Sequence, residues 1–127
     1  MSEVTRKILC VDDHTDFCEL VAAILQDVKV VSAHSVAEAV ALATKEKFDL
    51  YLLDYHLPDG TGLELCLLLR GFDAKTPILF MTGTSSISEA QAINAGADGL
   101  VKKGRTEAVA DLRSKVTQLL AATGLTS

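Results

Sequence analysis

The chain has 127 residues, which fits one domain of ordinary size. Hydrophobic residues make up 49% of the chain and charged residues 23%, a composition that excludes a wholly disordered protein. The formal net charge of −5 argues against a general grip on nucleic acid, which needs a basic face, and no apolar run approaches the ~20 residues that cross a bilayer.

The first part of the chain alternates a short apolar run with a longer amphipathic one. The run from Lys7 to Val11 ends in acidic residues and predicts a buried strand. From Thr15 onward, hydrophobic residues recur at three- and four-residue spacing, which predicts a helix. The β-branched run from Val28 to Ser32 predicts a second strand. Ser35, with Glu38 three residues later, has the pattern of a capping box at the start of an alanine-rich helix.

The middle of the chain repeats this alternation. Asp49 to Leu53 is predicted to be a third strand, and the composition of Leu57 to Gly62 predicts a loop. Leu63 to Arg70 predicts a short and strongly apolar helix that ends near Gly71. Thr76 to Met81 predicts a fourth strand, in which the proline is tolerated because it stands at the start.

The last part of the chain completes five strand–helix units. Ser85 to Ala95 predicts a helix of small residues that Gly96 ends, and Gly99 to Val101 predicts a short fifth strand. Strands that alternate with helices indicate a parallel sheet with both faces covered, which is an α/β fold. Hydrophobic residues at helical spacing mark the final helix: Val109, Leu112, Val116 and Leu119.

Polar side chains follow four of the five predicted strands, at the point where each strand ends. Because ligands of open α/β sheets bind at the carboxyl ends of the strands, we expect these side chains to converge on one functional edge. The set comprises Asp12 and Asp13 after the first strand, Asp54 after the third, Thr82 after the fourth, and Lys102 and Lys103 after the fifth.

This combination of residue types favours phosphoryl chemistry with a magnesium ion. Crowded carboxylates repel one another, and a hard divalent cation that prefers oxygen ligands would offset that repulsion. An aspartate can attack phosphorus as a nucleophile, while a metal ion and a lysine neutralise charge on the phosphoryl group. Each residue alone also has a structural interpretation, such as a helix cap, a turn or a solvated lysine pair.

Four stretches carry a resemblance to a known family. The chain resembles the receiver domain of bacterial two-component response regulators, of the chemotaxis-regulator kind. The resemblance implies a flavodoxin-like, doubly wound (βα)5 fold with a five-stranded parallel sheet in the order 2-1-3-4-5, arranged as a three-layer sandwich. It implies a single receiver domain over residues 1–127, with a core from about residue 6 to about residue 120. The stretches are Ile8 to Asp13, Leu52 to Gly62, Phe80 to Gly83 and Ala95 to Lys103.

The resemblance also implies a role for each residue at the strand ends. Asp54 is expected to be the phosphoacceptor, taking a phosphoryl group from the phosphohistidine of a histidine kinase. Thr82 matches the switch hydroxyl that meets the phosphoryl group. The usual spacing after Asp98 selects Lys103 over Lys102 as the lysine that pairs with Asp54 at rest and with the phosphoryl oxygen afterwards.

The same resemblance implies a binding site for Mg²⁺. Asp12 and Asp13 correspond to the acidic pair that holds the ion, one of them partly through water. Asp54 and the backbone carbonyl of His56 complete the implied ligands from the protein. The other histidines, His14 and His34, match no metal-binding spacing, which favours solvated surface positions.

Several positions depart from the pattern of the family. Leu100 stands where an aromatic switch residue is usual, and Gly104 replaces the proline that normally follows the lysine. These departures leave the phosphorylation chemistry in place and put the usual output mechanism in doubt. His56 and Thr84 occupy the two variable positions that flank the attacking water during dephosphorylation, so we expect His56 to influence the lifetime of the phosphoryl group.

The function that the resemblance implies is a phosphorylation-controlled switch rather than an enzyme, although the domain assists its own phosphorylation and dephosphorylation. Its expected partners are a histidine kinase or phosphotransfer protein and a downstream effector or neighbouring output domain, with no direct contact to nucleic acid or membrane. A homodimer that forms on phosphorylation is a further expectation. The alternatives are a pseudo-receiver that is never phosphorylated and, less favoured, a magnesium-dependent phosphohydrolase with an aspartyl-phosphate intermediate.

The cysteines indicate the compartment. Cys10, Cys18 and Cys66 are odd in number, form no CxxC pair and lie within apolar patterns. Buried reduced thiols in a cytoplasmic protein are therefore favoured over disulfides or a zinc site.

Overall fold

The computed structural model of the chain describes residues 5–83, 87–104 and 106–124. Five strands form a parallel sheet in the order β2-β1-β3-β6-β7, and two short strands, β4 and β5, form an antiparallel hairpin. The strands are β1 (Lys7–Val11), β2 (Lys29–Ala33), β3 (Leu50–Leu53), β4 (His56–Leu57), β5 (Gly60–Thr61), β6 (Ile78–Thr82) and β7 (Gly99–Lys102).

Helices cover both faces of the sheet, so the molecule has three layers. One face of the sheet packs with α2, α3 and α4, and the other packs with α1 and α5. Within the described ranges no helix combines the length and the apolar character needed to span a bilayer. The helices are α1 (Thr15–Ile24), α2 (Val36–Lys45), α3 (Gly62–Phe72), α4 (Glu89–Asn94) and α5 (Ala108–Gly124).

The predicted fold class is confirmed. The five long strands, counted along the chain, lie in the predicted order 2-1-3-4-5, and every pairing between them is parallel. The strands bury both of their faces because helices lie on either side, which explains their nearly continuous hydrophobic sequences. Leu50 to Leu53 is fully buried, and the same holds from Ile78 to Thr82.

Two helix boundaries differ from the prediction for reasons that lie in their caps. Helix α4 begins at Glu89 rather than Ser85, because the Ser88 hydroxyl accepts a hydrogen bond from the Gln91 amide and so caps the helix. Residues 85 and 86 lie outside the described part of the chain. Helix α3 continues past Gly71 to Phe72, since Gly71 does not adopt the left-handed conformation that would end it there.

The predicted loop from Leu57 to Gly62 contains the β4–β5 hairpin, which the sequence did not reveal. Asp59, at the tip of this hairpin, accepts hydrogen bonds from the backbone amides of Val36 and Ala37 at 2.7 and 3.0 Å. A carboxylate at the first turn of a helix satisfies amides that lack partners within the helix. The hairpin is thereby tied to the start of α2.

Gly96 ends α4 as the sequence predicts. Its φ of 109° is left-handed, and an added Cβ would lie 2.8 Å from Cγ of Arg70. The amides of Gly96 and Ala97 donate to the carbonyls of Ile93 and Ala92, which is the hydrogen-bond pattern of a Schellman cap. Only glycine combines this conformation with such a close approach.

Arg70 fastens α3 to the loops that surround β6. Its Nε donates to the carbonyl of Gly96 at 2.9 Å, and its Nη1 donates to the carbonyls of Asp73 and Thr76 at 3.0 and 2.7 Å. Its Nη2 lies 3.3 Å from Asp98. One guanidinium group therefore joins the α3–β6 loop to the α4–β7 loop, at the end of the sheet away from the carboxyl ends of its strands.

We expect the substitution Arg70→Met to lower the free energy of unfolding by about 3 kcal/mol, because three backbone carbonyls lose a charged donor. Urea unfolding monitored by circular dichroism measures this change. The matched control is Arg113→Met on the exposed side of α5, which should change the free energy by less than about 0.5 kcal/mol. Equal effects of the two substitutions would contradict the role assigned to Arg70.

Candidate functional site

The carboxyl ends of four neighbouring strands bring the predicted site residues to one edge of the sheet. The Asp54 amide donates to the carbonyl of Val11 at 2.9 Å, which sets the end of β3 beside the end of β1. The Lys103 amide donates to the carbonyl of Thr82 at 2.9 Å and joins the ends of β7 and β6 in the same way. The sequence places acids after β1 and β3, and a hydroxyl and an ammonium at the ends of β6 and β7.

The ammonium group of Lys103 bridges two carboxylates. Its Nζ lies 2.6 Å from Oδ2 of Asp12 and 3.6 Å from Oδ1 of Asp54. The same Nζ lies 3.9 Å from the centre of the Phe17 ring, a cation–π contact that helps to hold it in place. The resemblance implied Asp54 as the resting partner, whereas the shorter contact is with Asp12. The neighbouring Lys102 has an exposed side chain and makes no ion pair within the described residues.

Asp12 is the most enclosed of the three carboxylates, with 1% of its surface exposed. Its Oδ2 accepts from Lys103, and its Oδ1 accepts from the backbone amide of His14 at 2.9 Å. A buried carboxylate needs such partners, because an unpaired charge in the interior is costly. Both oxygens of Asp12 therefore have a donor, and the position of this side chain is well defined.

His14 joins the acidic pair, which the sequence interpretation missed. Its Nδ1 lies 3.2 Å from Oδ1 of Asp12 and 3.0 Å from Oδ1 of Asp13. The side chain is exposed, as predicted for a surface histidine, but one ligand atom from each of these three residues lies within 4.8 Å of the others. The available signal was its position directly after the acids, where it precedes the first turn of α1.

Asp54 is nearly buried, and its surroundings raise the pKa of its carboxyl group. Its Oδ1 accepts a hydrogen bond from the Tyr55 amide at 2.9 Å. Burial raises the pKa of this carboxyl above its ordinary value, the Lys103 ammonium opposes the rise, and the Asp12 carboxylate adds to it. Folding thus places Asp54 where its ionised form is disfavoured. Such a perturbed carboxyl group is typical of functional positions.

The donor set at this edge fits a hard divalent cation. Asp12, Asp13 and Asp54 carry three negative charges, and Lys103 supplies one positive charge, so two negative charges remain. Magnesium prefers carboxylate, carbonyl and water oxygens, which are the groups found here. The described structure therefore suits Mg²⁺ at the acidic pair, and His56 follows Asp54 closely enough along the chain for its backbone to contribute.

Gly62 lets α3 begin directly against the segment that carries Asp54. A Cβ on Gly62 would lie 2.3 Å from the carbonyl oxygen of Asp54 and 2.7 Å from the Phe80 ring. The Gly62 amide instead donates to the carbonyl of Tyr55 at 2.6 Å. No side chain larger than hydrogen fits, so the glycine in the Asp-Gly-Thr-Gly segment is a requirement of the close approach.

Two positions that depart from the family pattern adjoin the site along the chain, since Leu100 lies in β7 and Gly104 directly follows Lys103. Thr82 is buried at the end of β6, and Leu100 of β7 is buried among the hydrophobic residues that face α4. Gly104 has a left-handed φ of 80°, which proline cannot adopt. Thr84 lies outside the described residues.

His56 and His34 lie away from the acidic pair. His56 is exposed, and its ring contacts the Tyr55 ring edge-on with the ring centres 4.8 Å apart. The His34 side chain is partly exposed, and its Nε2 is buried with no hydrogen-bond partner among the residues that the structure describes. Its Nδ1 lies 3.5 Å from Oε1 of Glu38. The same oxygen accepts a hydrogen bond from the His34 backbone amide.

Comparison with known proteins identifies what this arrangement is similar to. The family model described as the response regulator receiver domain matches residues 8–117. The response regulator protein PilR of Pseudomonas aeruginosa is 40% identical over 101 residues, covering 77% of this chain and 23% of PilR. The DNA-binding transcriptional activator DevR/DosR of Mycobacterium tuberculosis is 41% identical over 103 residues, covering 76% of this chain and 47% of that protein. The chain therefore spans less than half the length of these curated relatives.

Solved structures give the same result for the fold. A CheY-like response regulator receiver domain protein from Methanospirillum hungatei superposes with a TM-score of 0.88 at 28% identity, covering 98% of this chain and all of the other. A two-component response regulator from Clostridium difficile superposes with a TM-score of 0.83 at 29% identity, covering 92% of this chain and 97% of the other.

We expect the substitution Asp54→Asn to raise the melting temperature at neutral pH. Burial raises the pKa of Asp54, so the folded state disfavours the ionised carboxyl, and the amide removes that charge. The wild-type penalty is complete above the folded pKa and disappears as the pH falls below the ordinary value of 3.8. The gain should therefore shrink as the pH is lowered, which thermal unfolding at a series of pH values measures.

Asp59→Asn is the control of opposite sign. The amides of Ala37 and Val36 hold the pKa of Asp59 below its ordinary value, so its ionised form stabilises the fold at neutral pH and loses that effect in acid. This variant should melt at a lower temperature than the wild type at neutral pH. A lower melting temperature for Asp54→Asn at neutral pH would contradict the electrostatic account of the site.

Proposed function

The chain belongs to the response regulator receiver domain family of two-component systems, and from that premise we propose that Asp54 accepts a phosphoryl group from the phosphohistidine of a histidine kinase or phosphotransfer protein. One observation carries the proposal: a single ammonium group, that of Lys103, lies between Asp54 and the buried acid Asp12. This arrangement holds a carboxylate beside a positive charge at the exposed edge of the sheet, which is what transfer of an anionic group requires.

In the proposed step, a carboxylate oxygen of Asp54 attacks phosphorus while the bond from phosphorus to the histidine nitrogen breaks. The electron pair of that bond stays with the imidazole, and the product is a mixed anhydride of carboxylate and phosphate. Lys103, which directly follows β7, faces Asp54 and would bind an oxygen of the transferred group. Thr82 is buried at the end of the adjacent strand, and its hydroxyl group would donate a hydrogen bond to another phosphoryl oxygen.

We assign Asp12, Asp13, Asp54 and the backbone carbonyl of His56 as the residues that would hold Mg²⁺. The ion would supply positive charge against the carboxylates and the phosphoryl oxygens. The two negative charges that Lys103 leaves uncompensated support this assignment. His14, through its contacts with both acids of the pair, would orient Asp13 towards the ion.

We propose that the output is a change of binding surface on a single receiver domain and not the turnover of a substrate. The Lys103 amide is bonded to Thr82, so a shift of either residue towards the phosphoryl group moves the ends of β6 and β7 together. Those strand ends adjoin α4 and α5, whose exposed faces would meet an effector or an output domain. Because Leu100 replaces the usual aromatic residue, the change cannot depend on the rotation of a ring at that position.

The location that we expect is the cytoplasm, where a histidine kinase presents its phosphohistidine. The three cysteines are free and buried in the structure, which fits a reducing compartment. The curated relatives are longer than this chain, and one of them is a DNA-binding transcriptional activator.

Incubation with acetyl phosphate or phosphoramidate and Mg²⁺ should add the mass of one phosphoryl group to the intact protein. Asp54→Asn removes the nucleophile and should abolish the addition, as mass spectrometry of the whole chain can show. Asp16→Asn is the matched control, because Asp16 is an exposed acid of α1 outside the cluster, and it should be phosphorylated as the wild type is.

The failure of this experiment would be informative. Absence of any mass gain under saturating donor would support a pseudo-receiver that only binds partners. Continuous release of phosphate with many turnovers from an organic phosphate ester would support the phosphohydrolase. A mass gain that persists in Asp54→Asn would place the phosphoacceptor elsewhere.

Mg²⁺ should stabilise the folded protein, because a ligand that binds only the folded state shifts the unfolding equilibrium. At a concentration of about a hundred times the dissociation constant the gain is about 2.7 kcal/mol. We expect Asp13→Asn to weaken this effect strongly, Asp16→Asn to retain it, and EDTA to reverse it. Thermal unfolding with and without Mg²⁺ measures the gain, and an equal response from both variants would remove Asp13 from the proposed site.

A further inference from the structure

One face of α3 exposes an unusual set of large hydrophobic side chains. The exposed fractions are 60% for Leu67, 50% for Leu68 and 48% for Phe72. Only three other large hydrophobic residues in the described ranges are exposed to a similar degree, and they lie on three different helices. Single exposed side chains are ordinary, whereas a contiguous apolar face indicates a contact surface.

This face is not needed by the core. The opposite side of α3 already buries Leu65, Cys66 and Leu69 against the sheet. The exposed residues occur at spacings of one, four and five residues, which places them side by side along the outer surface of the helix. Helix α3 therefore has hydrophobic residues on both its inner and its outer side. A helix that is apolar on both sides is normally packed against other protein on both sides.

The outer face of α3 is complementary to the same face of a second copy of the chain. In chain order the face carries Glu64, Leu67, Leu68, Gly71 and Phe72 on α3, and Lys75 follows just past its end. Two copies of α3 laid antiparallel about a twofold axis would place Leu68 of each against Gly71 of the other. Gly71 has open space where a Cβ would stand, so the larger side chain has room.

The same arrangement pairs the remaining positions. Leu67 of one copy would lie opposite Phe72 of the other, and Glu64 would lie opposite Lys75. Both charged residues are exposed, and the Lys75 ammonium forms no ion pair within the described residues. Phe72 also lines a cavity of about 460 Å³ together with Tyr51 and Phe48, which would receive Leu67 of the second copy at its mouth.

We propose that two copies of this chain associate through the outer face of α3, packed antiparallel, with Leu68 and Gly71 at the centre of the contact. A twofold contact uses the same patch on both copies, and this patch matches large against small and acid against base when it meets itself. The contact lies on a different helix from the strand ends of β6 and β7. It therefore forms without phosphorylation of Asp54 and does not depend on the proposed function.

Analytical ultracentrifugation of the full chain across roughly a hundredfold range of concentration tests the proposal, because dimerisation follows mass action. We expect a reversible dimer for the wild type and at least a tenfold weaker one for Leu68→Glu. The matched control is Leu20→Glu, since Leu20 is 52% exposed on α1, and this variant should dimerise as the wild type does. The circular dichroism of both variants verifies that each is folded.

Cysteine cross-linking tests the antiparallel register. A mixture of Leu68→Cys and Gly71→Cys should form a mixed disulfide dimer under mild oxidation by a copper complex, in excess over either homodimer. The three native cysteines are buried and should not interfere. A wild type that stays monomeric at every concentration would overturn the proposal and leave this face to a different protein. A dimer that survives Leu68→Glu, or cross-links only in homodimers, would overturn the assigned surface and register.

Discussion

The site depends on the position of one positive charge among three negative ones. Parallel strands that end side by side bring the carboxylates of Asp12 and Asp54 to the same edge, where they repel each other and where burial penalises both. The Lys103 Nζ lies 2.6 Å from the Asp12 carboxylate and 3.6 Å from the Asp54 carboxylate, and its positive charge offsets their repulsion. Removing the charge from Asp54 relieves the crowding, whereas removing Lys103 would leave Asp12 buried without its closest counter-charge.

The backbone around the site is organised so that these side chains cannot move apart freely. Gly62 brings the start of α3 against the carbonyl of Asp54, and the hairpin between them is tied through Asp59 to the first turn of α2. On the other side, the bond from the Lys103 amide to Thr82 couples the ends of two strands. The repulsion between the carboxylates is therefore opposed by backbone contacts that fix the strand ends and the start of α3.

Much of this site was predictable, because topology alone decides where the ends of parallel strands meet. That Asp54 and the Lys102–Lys103 pair meet at one edge followed from counting strands, whereas the choice of Lys103 over Lys102 came from the family resemblance. The choice of Asp12 over Asp54 as the closer partner of Lys103 did not follow, since the distances of 2.6 and 3.6 Å depend on side-chain positions that strand order does not determine. His14 was missed for a related reason: its role arises from how the chain turns after Asp13, and no periodicity reports that turn.

The outer face of α3 shows a different limit of sequence interpretation. The leucines from Leu63 to Leu69 are too many for one buried face, and the pattern alone cannot separate core from contact surface. The structure separates them, because Leu65 and Leu69 face the sheet while Leu67 and Leu68 face outward. Gly62 fixes the start of this helix against the carbonyl of Asp54, whereas the proposed contact lies on the outer side of the helix and includes none of the residues at the acidic edge. The proposed association through α3 therefore needs no change at Asp54, and the packing that leaves Leu67 and Leu68 exposed determines which surface two copies would share.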